Sequence, residues 1–231
     1  SFGTDPEVST ASLDFGIRHK RSLEDQTVAD FKQSLLERMV TSMLSTRISD
    51  KAQNPKASYL GAQISYQSIA RKNNSFSIKI FPKSEKQQKA FKEVLTEVER
   101  AARFGFTKAE IERTIKKYSN VYEIQISKKD DEPHRYIIRR IQGNYLDNKT
   151  ITDIEKRYEL VKQVFETLNV KELHSTIKRL YAKKNRYLNV TGVKGKNNLT
   201  EQQAKDIITS VENDINITPH REESSSKTLI S

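Results

Sequence analysis

Residues that could carry out hydrolytic chemistry are few in this chain and far apart. Two histidines on one face of a helix can bind zinc, and a glutamate between them can act as general base on the metal-bound water. The four histidines are His19, His134, His174 and His220. None begins or ends a His-x-x-Glu-His pattern, and no cysteine is present as a thiol nucleophile or zinc ligand. The sequence therefore predicts no catalytic residue, no cofactor-binding residue and no metal site.

The sequence around Gly105 predicts a tight corner between two helices. Arg100 and Arg103 suit the C-terminal end of one helix, and Gly105 can adopt the left-handed conformation just beyond it. Thr107 and Glu110 have the spacing of a capping box at the start of the next helix. We therefore interpret Glu110 as a helix cap.

The remaining elements follow from periodicity and capping patterns. Alternating apolar residues predict strands at 11–18, 57–70, 75–82 and 187–193. Capping patterns predict helices that start at Thr27, Ser84 (with Gln87 as its partner), Thr107, Pro133, Thr152, Asn169 and Thr200. This order predicts an α+β fold, a two-layer sandwich in which long helices pack on one face of a mostly antiparallel sheet.

Length and composition favour one domain. The 231 residues are 35% hydrophobic, enough for a substantial core. The sequence contains no run of about 18 apolar residues, so it predicts no membrane-spanning helix. We expect a single domain at 1–215 and a linker or tail at 216–231. The chain starts without methionine and ends in polar residues, so we expect a piece of a longer protein.

The formal charge of +11 raises the question of a nucleic-acid partner. The 41 basic residues are mixed with 30 acidic ones along almost every segment, which is typical of solvated helix faces. The densest basic clusters, at 18–21 and 178–186, lie in no recognisable nucleic-acid-binding module. We therefore expect no nucleic-acid partner, and basic nucleic-acid binding is kept as a third alternative.

The element order and several short stretches resemble the pitrilysin and insulinase family of zinc metallopeptidases, the inverzincins. The stretches are Thr4-Asp-Pro-Glu7, Met43-Leu-Ser-Thr-Arg-Ile48, Glu99-Arg100, Phe104-Gly-Phe-Thr-Lys-Ala-Glu110 and Asn189-Val-Thr-Gly192. The resemblance covers roughly residues 4 to 215. It implies a peptidase module built from two related halves, of which one is catalytic.

The resemblance also implies that this chain is not the catalytic half. In that half the first long helix carries His-x-x-Glu-His, whereas the helix here reads Ser34-Leu-Leu-Glu-Arg38. Both histidine positions are lost, and Glu37 is interpreted as a surface salt-bridge partner. Glu110 and Glu112 fall where the distant zinc ligand of the family comes from, but they have no histidines to share a metal with.

Non-catalytic halves of the family use an arginine and a tyrosine to hold substrate across the chamber. Here Gln53 stands at the expected arginine position, and Tyr59 is the counterpart of the tyrosine. The resemblance therefore does not transfer this catalytic-support role. In two-module members of the family, the arginine and tyrosine lie in the second module. The resemblance therefore implies that this chain, which lacks the pair, is the second half of the first module.

The resemblance implies a non-catalytic domain that pairs with a catalytic peptidase half-domain, in the same chain or as a separate subunit. Together they would wall a chamber for peptide substrates, with zinc bound in the catalytic half of the parent protein, and an exposed strand edge would accept an extended peptide. A periplasmic or cell-envelope location is expected from family habit. The main alternative is a stand-alone protein-protein scaffold that retains the peptidase fold.

Overall fold

The fold is built from five strands and six helices in the part of the chain that the structure describes. A computed structural model describes residues 1–5, 10–20, 27–70, 72–129 and 153–221. The strands are β1 (Phe2–Asp5), β2 (Ser12–Lys20), β3 (Tyr59–Ala70), β4 (Asn73–Pro82) and β5 (Arg186–Val193). The helices are α1 (Val28–Ala52), α2 (Gln87–Phe104), α3 (Lys108–Ser127), α4 (Ile154–Glu166), α5 (Val170–Leu180) and α6 (Glu201–Asn213).

The five strands form one mixed sheet in the order β1-β5-β2-β4-β3. Only the β1–β5 pair is parallel; the other three pairs are antiparallel, which confirms the expected α+β fold. The expectation that residues 11–18 form the first strand is wrong, because β1 precedes them. Four residues are too short to show an alternating pattern, and β1 is a strand because its backbone pairs with β5.

The two faces of the sheet differ in polarity. Leu13, Phe15 and Ile17 alternate along β2 and are almost completely buried in the core that the helices share. The ring of Phe15 packs edge-to-face on Phe91 of α2, with centroids 5.9 Å apart. On the opposite face, Tyr187 lies over Gly16. Helices therefore cover the apolar face of the sheet.

Four of the predicted capping boxes are present at helix N-termini. They are Thr27 with Asp30, Thr107 with Glu110, Asn169 with Glu172 and Thr200 with Gln203. In each, the side chain of the first residue accepts a backbone N–H and the fourth residue binds back, so local sequence determines where these helices start.

The predicted cap at Ser84 is wrong. Helix α2 begins at Gln87, and its N-cap residue Lys86 makes no side-chain capping bond. The side chain of Gln87 instead donates to Asn198 Oδ1 (2.8 Å) and accepts the backbone N–H of Leu199 (2.8 Å). Gln87 is therefore used to hold the loop between β5 and α6.

The predicted helix starts at Pro133 and Thr152 both lie outside the described residues. Helix α4 has Asp153 at its N-cap position, without a side-chain capping bond. The C-terminal end of α3 at Ser127 agrees with the predicted break near residue 128. None of the helices in the described ranges is long and apolar enough to span a membrane.

Candidate functional site

The turn of α1 from Ser34 to Arg38, which the resemblance aligns with the zinc motif, does not fit a zinc ion. Ser34 and Arg38 are exposed, and Arg38 Nε donates to the Ser34 carbonyl oxygen (3.3 Å). The carboxylate of Glu37 accepts from Gln33 (3.2 Å) and pairs with Arg179 (2.5 Å). Glu37 is thus a salt-bridge partner, but a largely buried one instead of a surface one. A guanidinium at one ligand position repels a metal cation.

The histidines that the structure describes lie apart from one another. His19 Nε2 lies 3.0 Å from the Leu180 carbonyl oxygen at the end of α5, and His174 Nε2 lies 2.9 Å from the Ala102 carbonyl oxygen in α2. Burial lowers the pKa of His19. His134 lies outside the described residues, and within the described ranges no three His, Asp or Glu residues converge on a point that could hold a metal.

The tyrosine and glutamine singled out by the resemblance both serve the end of α1. Gln53 is the C-cap residue, and its backbone N–H donates to the Asp50 carbonyl oxygen (3.2 Å). Tyr59 is 2% exposed, and its hydroxyl donates to the Ile48 carbonyl oxygen (3.1 Å). Burial raises the pKa of Tyr59. This hydroxyl is therefore committed inside the domain.

A buried ion pair joins α1 to the helix corner. Arg47 donates from Nε and Nη2 to the two carboxylate oxygens of Glu110, each at 2.8 Å, and from Nη2 to the Gly105 carbonyl oxygen (3.3 Å). Its guanidinium lies 5.1 Å from the ring centroid of Phe106. Glu110 also accepts the backbone N–H of Thr107 (2.8 Å), which confirms it as a helix cap. Glu110 therefore caps α3 and also binds α1 through Arg47.

This second role of Glu110 was missed from the sequence, although a signal for it exists. Arg47 continues the apolar line of Met39 and Met43 at intervals of four residues, so a helix packed on its core must bury it. A buried arginine needs a carboxylate partner. Glu112, the other acidic candidate, is 62% exposed and pairs only weakly with Lys108 at 3.6 Å.

The environment of Glu110 favours its ionised form. Burial alone would raise the pKa of this carboxyl. The hydrogen bonds and charge of Arg47, with the Thr107 N–H, outweigh burial and hold the pKa below its ordinary value. Glu110 is thus ionised at neutral pH.

A cavity of about 1210 Å³ opens beside this ion pair. It lies between the C-terminal half of α1 with the residues that follow it up to Tyr59, α2, the start of α3 and residues 218–221. Lysine and arginine outnumber aspartate and glutamate nine to four among its lining residues, so the cavity is positively charged. This volume exceeds the usual range of about 300–1,000 Å³ for small-molecule pockets and suits a larger ligand such as a short peptide.

The segment after α6 closes one side of this cavity. Ile217 is 6% exposed and packs in the core, and the Thr218 carbonyl oxygen accepts a hydrogen bond from Arg100 of α2. His220 follows on the cavity wall. Burial and the nearby charge of Arg47 lower the pKa of His220, although Glu110 opposes this, so its ring is neutral at pH 7.

No protein-family model matches the sequence, and no curated protein matches it. Solved structures do match. The first half of the periplasmic protease PqqL from Escherichia coli superposes with a TM-score of 0.86 at 14% identity, covering 96% of this chain and 48% of that one. A protein described as a predicted insulinase family protease from Yersinia pestis has a TM-score of 0.76 at 11% identity, covering 90% and 45%.

A third matching structure is described as an inactive domain. The peptidase M16 inactive domain from Pseudomonas fluorescens has a TM-score of 0.61 at 12% identity, covering 86% of this chain and 44% of that one. The chain therefore spans about half the length of each of these three structures. Identities this low show a shared fold. The chain has the α+β fold of a half-domain of the M16 peptidases, the insulinase and pitrilysin type.

Proposed function

We propose that this chain is the non-catalytic half-domain of a zinc metalloendopeptidase. It pairs with a catalytic half-domain, in the same polypeptide or as a separate subunit, and forms one wall of a chamber that admits unfolded peptides. The observation that carries the proposal is the turn from Ser34 to Arg38, which holds a serine and an arginine where a catalytic half has zinc-binding histidines. The likeness to an inactive M16 domain supports it.

The proposed location is the periplasm. PqqL, whose first half shares this fold over 96% of the chain, is a periplasmic protease. The proposed partners are the catalytic half-domain and peptide substrates.

Zinc content tests the assignment directly. After equilibration with excess zinc and gel filtration, we expect the purified chain to retain less than about a tenth of an equivalent, because the site has no imidazole pair. The double variant Ser34→His with Arg38→His restores two imidazoles one helical turn apart and should retain more zinc than the unaltered chain. Near one equivalent in the unaltered chain, together with peptide cleavage, would make it an enzyme and overturn the proposal.

A second observation separates the half-domain from the stand-alone scaffold. If the gene for this chain or a neighbouring gene encodes an upstream His-x-x-Glu-His helix, the product should co-purify with this chain as an active peptidase. If neither gene encodes such a helix, the scaffold alternative takes its place.

The proposed peptide contact is the free edge of β3. Among the described strands β3 pairs only with β4, so its outer backbone groups can pair with an added extended chain. A groove of about 460 Å³ lies beside it, lined by Ser42 and Ser45 of α1, Ile64 of β3 and Tyr118 of α3. Small side chains on α1 leave room for a peptide along this edge.

Filling the groove tests this contact. Ser45→Trp should abolish competition between unlabelled peptides and a fluorescent peptide for the chain, because the indole would occupy the space of the added strand. Thr209→Trp, at an exposed position on α6, is the matched control and should leave competition unchanged. Equal competition in both variants would show that the peptide does not bind at the edge of β3.

A further inference from the structure

The guanidinium of Arg47 has hydrogen-bonding capacity that the protein does not use. It has five N–H hydrogens, and Glu110 and Gly105 accept three of them. Both hydrogens on Nη1 remain. This atom is buried and has no hydrogen-bond partner within the described ranges, and the side chain is 0% exposed. A buried charged donor without an acceptor is costly, so an acceptor from outside the described chain should complete it.

The surroundings of Nη1 favour an anionic acceptor over water. Arg47 lies in the wall of the positively charged cavity. Of the four acidic residues there, Glu110 is bound to Arg47, and Glu97 is bound to both Lys51 and Arg100. Glu93 accepts from the backbone N–H (3.0 Å) and hydroxyl (3.1 Å) of Ser58. The acidic groups are thus largely engaged, and positive charge remains.

Residues 218–221 line the same cavity as Arg47. Because Nη1 has almost no exposed surface, a ligand reaches it only when a neighbouring group moves, and we infer that this group belongs to the segment 217–221. The segment is held by burial of Ile217 and by the hydrogen bond from Arg100 to Thr218. His220, whose ring feels the charge of both Arg47 and Glu110, is the part of the segment that lies near the pair. These contacts are few, so local displacement is expected to be easier than unfolding.

We propose that this cavity binds the C-terminal carboxylate of an acidic peptide, with the carboxylate on Nη1 of Arg47 and residues 218–221 displaced. The choice of a peptide rests on the proposed function; the choice of a carboxylate rests on Nη1 and the cavity charge. Lys56 and Lys92, both exposed at the cavity wall, attract the acidic side chains of the same peptide. This half-domain thus recognises the C-terminal end of a peptide, in addition to pairing with an extended peptide at the edge of β3.

Fluorescence anisotropy with a short glycine–glutamate peptide, labelled at its N-terminus, tests the proposal. The peptide with a free C-terminal carboxylate should bind about tenfold more tightly than its C-terminal amide, as expected for one charge-assisted hydrogen bond. The double variant Arg47→Gln with Glu110→Gln keeps the pair uncharged and should remove this preference. Equal affinity for acid and amide in the unaltered chain would overturn the proposal.

A second measurement needs no change in the buried pair. In the unaltered chain, the guanidinium Nε–Hε resonance of Arg47 should shift on addition of the free-acid peptide and stay in place with the amide. Inorganic phosphate is the competing probe: if it shifts the resonance and displaces the peptide at lower concentration than acetate does, the site takes phosphate and the peptide assignment is wrong. No shift with any probe would also overturn it.

Replacement of the lysines tests the position of the rest of the peptide. Lys56→Gln with Lys92→Gln should weaken binding of both the acid and the amide, whereas Lys205→Gln, on α6 and paired with Glu201, should change neither. No effect of the double replacement would contradict the placement of the peptide. These measurements do not involve zinc, so their failure leaves the zinc-content result, and the proposed function, standing.

Discussion

Arg47 and Glu110 show how single residues can join elements that are far apart in sequence. Glu110 is a helix cap by its spacing from Thr107 and an ion-pair partner by its position on the corner. Removing one member of such a pair leaves an uncompensated charge in the interior, which is more damaging than losing both. The pair is therefore expected to determine the stability of the α1–α3 contact.

Glu110→Gln should lower the free energy of unfolding by about 3 kcal/mol at pH 7, because the Arg47 charge is left buried without its partner. Since the folded-state pKa of Glu110 lies below its ordinary value of 4.5, its contribution is complete above pH 4.5. It is lost as pH falls through the lower folded value, so the gap between the variant and the unaltered chain should close in acid. Urea unfolding at a series of pH values measures this.

The matched control for that variant is Glu112→Gln, an exposed carboxylate two residues further along α3. Its change in unfolding free energy should stay below about 1 kcal/mol at every pH. A gap between Glu110→Gln and the unaltered chain that stays constant down to strongly acidic pH would show that the ion pair is not its cause.

Gly16→Ala should destabilise the sheet by about 1–3 kcal/mol, the usual range for overpacking. A Cβ at this position would lie 2.3 Å from the Tyr187 ring, whose hydroxyl hydrogen-bonds with Ser75 and Ser77 at 3.0 Å each. The ring would have to leave those partners. Gly61→Ala, where no atom lies within 4 Å of the added carbon, is the control in a thermal melt and should be close to neutral. Equal melting temperatures would contradict the packing argument.

At the scale of elements, the corner between α2 and α3 and the loop before α6 determine how the helices meet the sheet. Gly105 has φ 75° and ψ −147°, a positive-φ conformation that essentially only glycine adopts, and not the left-handed helical one expected from the sequence. It places His174 of α5 against the corner. One glycine therefore allows three helices to approach closely.

Gln87→Ala should cost about 1–3 kcal/mol, because the buried Leu199 N–H and the Asn198 side chain lose their partner. The loop between β5 and α6 should also exchange its amide hydrogens faster. Gln88→Ala is the control: the neighbouring glutamine is exposed on the same turn, and its replacement should be nearly neutral. Hydrogen exchange monitored by NMR measures both effects. Unchanged protection at Leu199 in Gln87→Ala would exclude a role for this contact.

At the scale of the whole molecule, the formal charge of +11 acts on partners more than on the fold. Most of the salt bridges are exposed or partly exposed and contribute little to stability. Positive charge that faces a chamber would instead raise the local concentration of acidic peptides. The charge is therefore expected to appear in association rates.

The association rate of an acidic peptide should fall steeply as salt rises from about 0.01 M to about 1 M, because the Debye length shrinks from about 30 Å to about 3 Å. The rate for an uncharged peptide of the same length should stay nearly constant. Stopped-flow fluorescence measures both. Parallel salt dependences for the two peptides would mean that the charge does not steer peptides.

Local sequence determined the elements whose stabilising contacts lie within one turn or one strand. Capping boxes at Thr27, Thr107, Asn169 and Thr200 start their helices because donor and acceptor are three residues apart. Alternation along β2 gave its buried face for the same reason. The α+β order could be derived from the sequence alone.

Tertiary structure decided the features whose partners are distant in sequence. β1 is a strand only because β5 lies beside it, Gln87 leaves its predicted cap because Asn198 and Leu199 accept and donate more favourably, and Arg47 meets Glu110 only when α1 and α3 cross. The cavity likewise exists only where four separate segments converge. Such contacts depend on chain packing across long separations, which periodicity and capping, being local, do not encode.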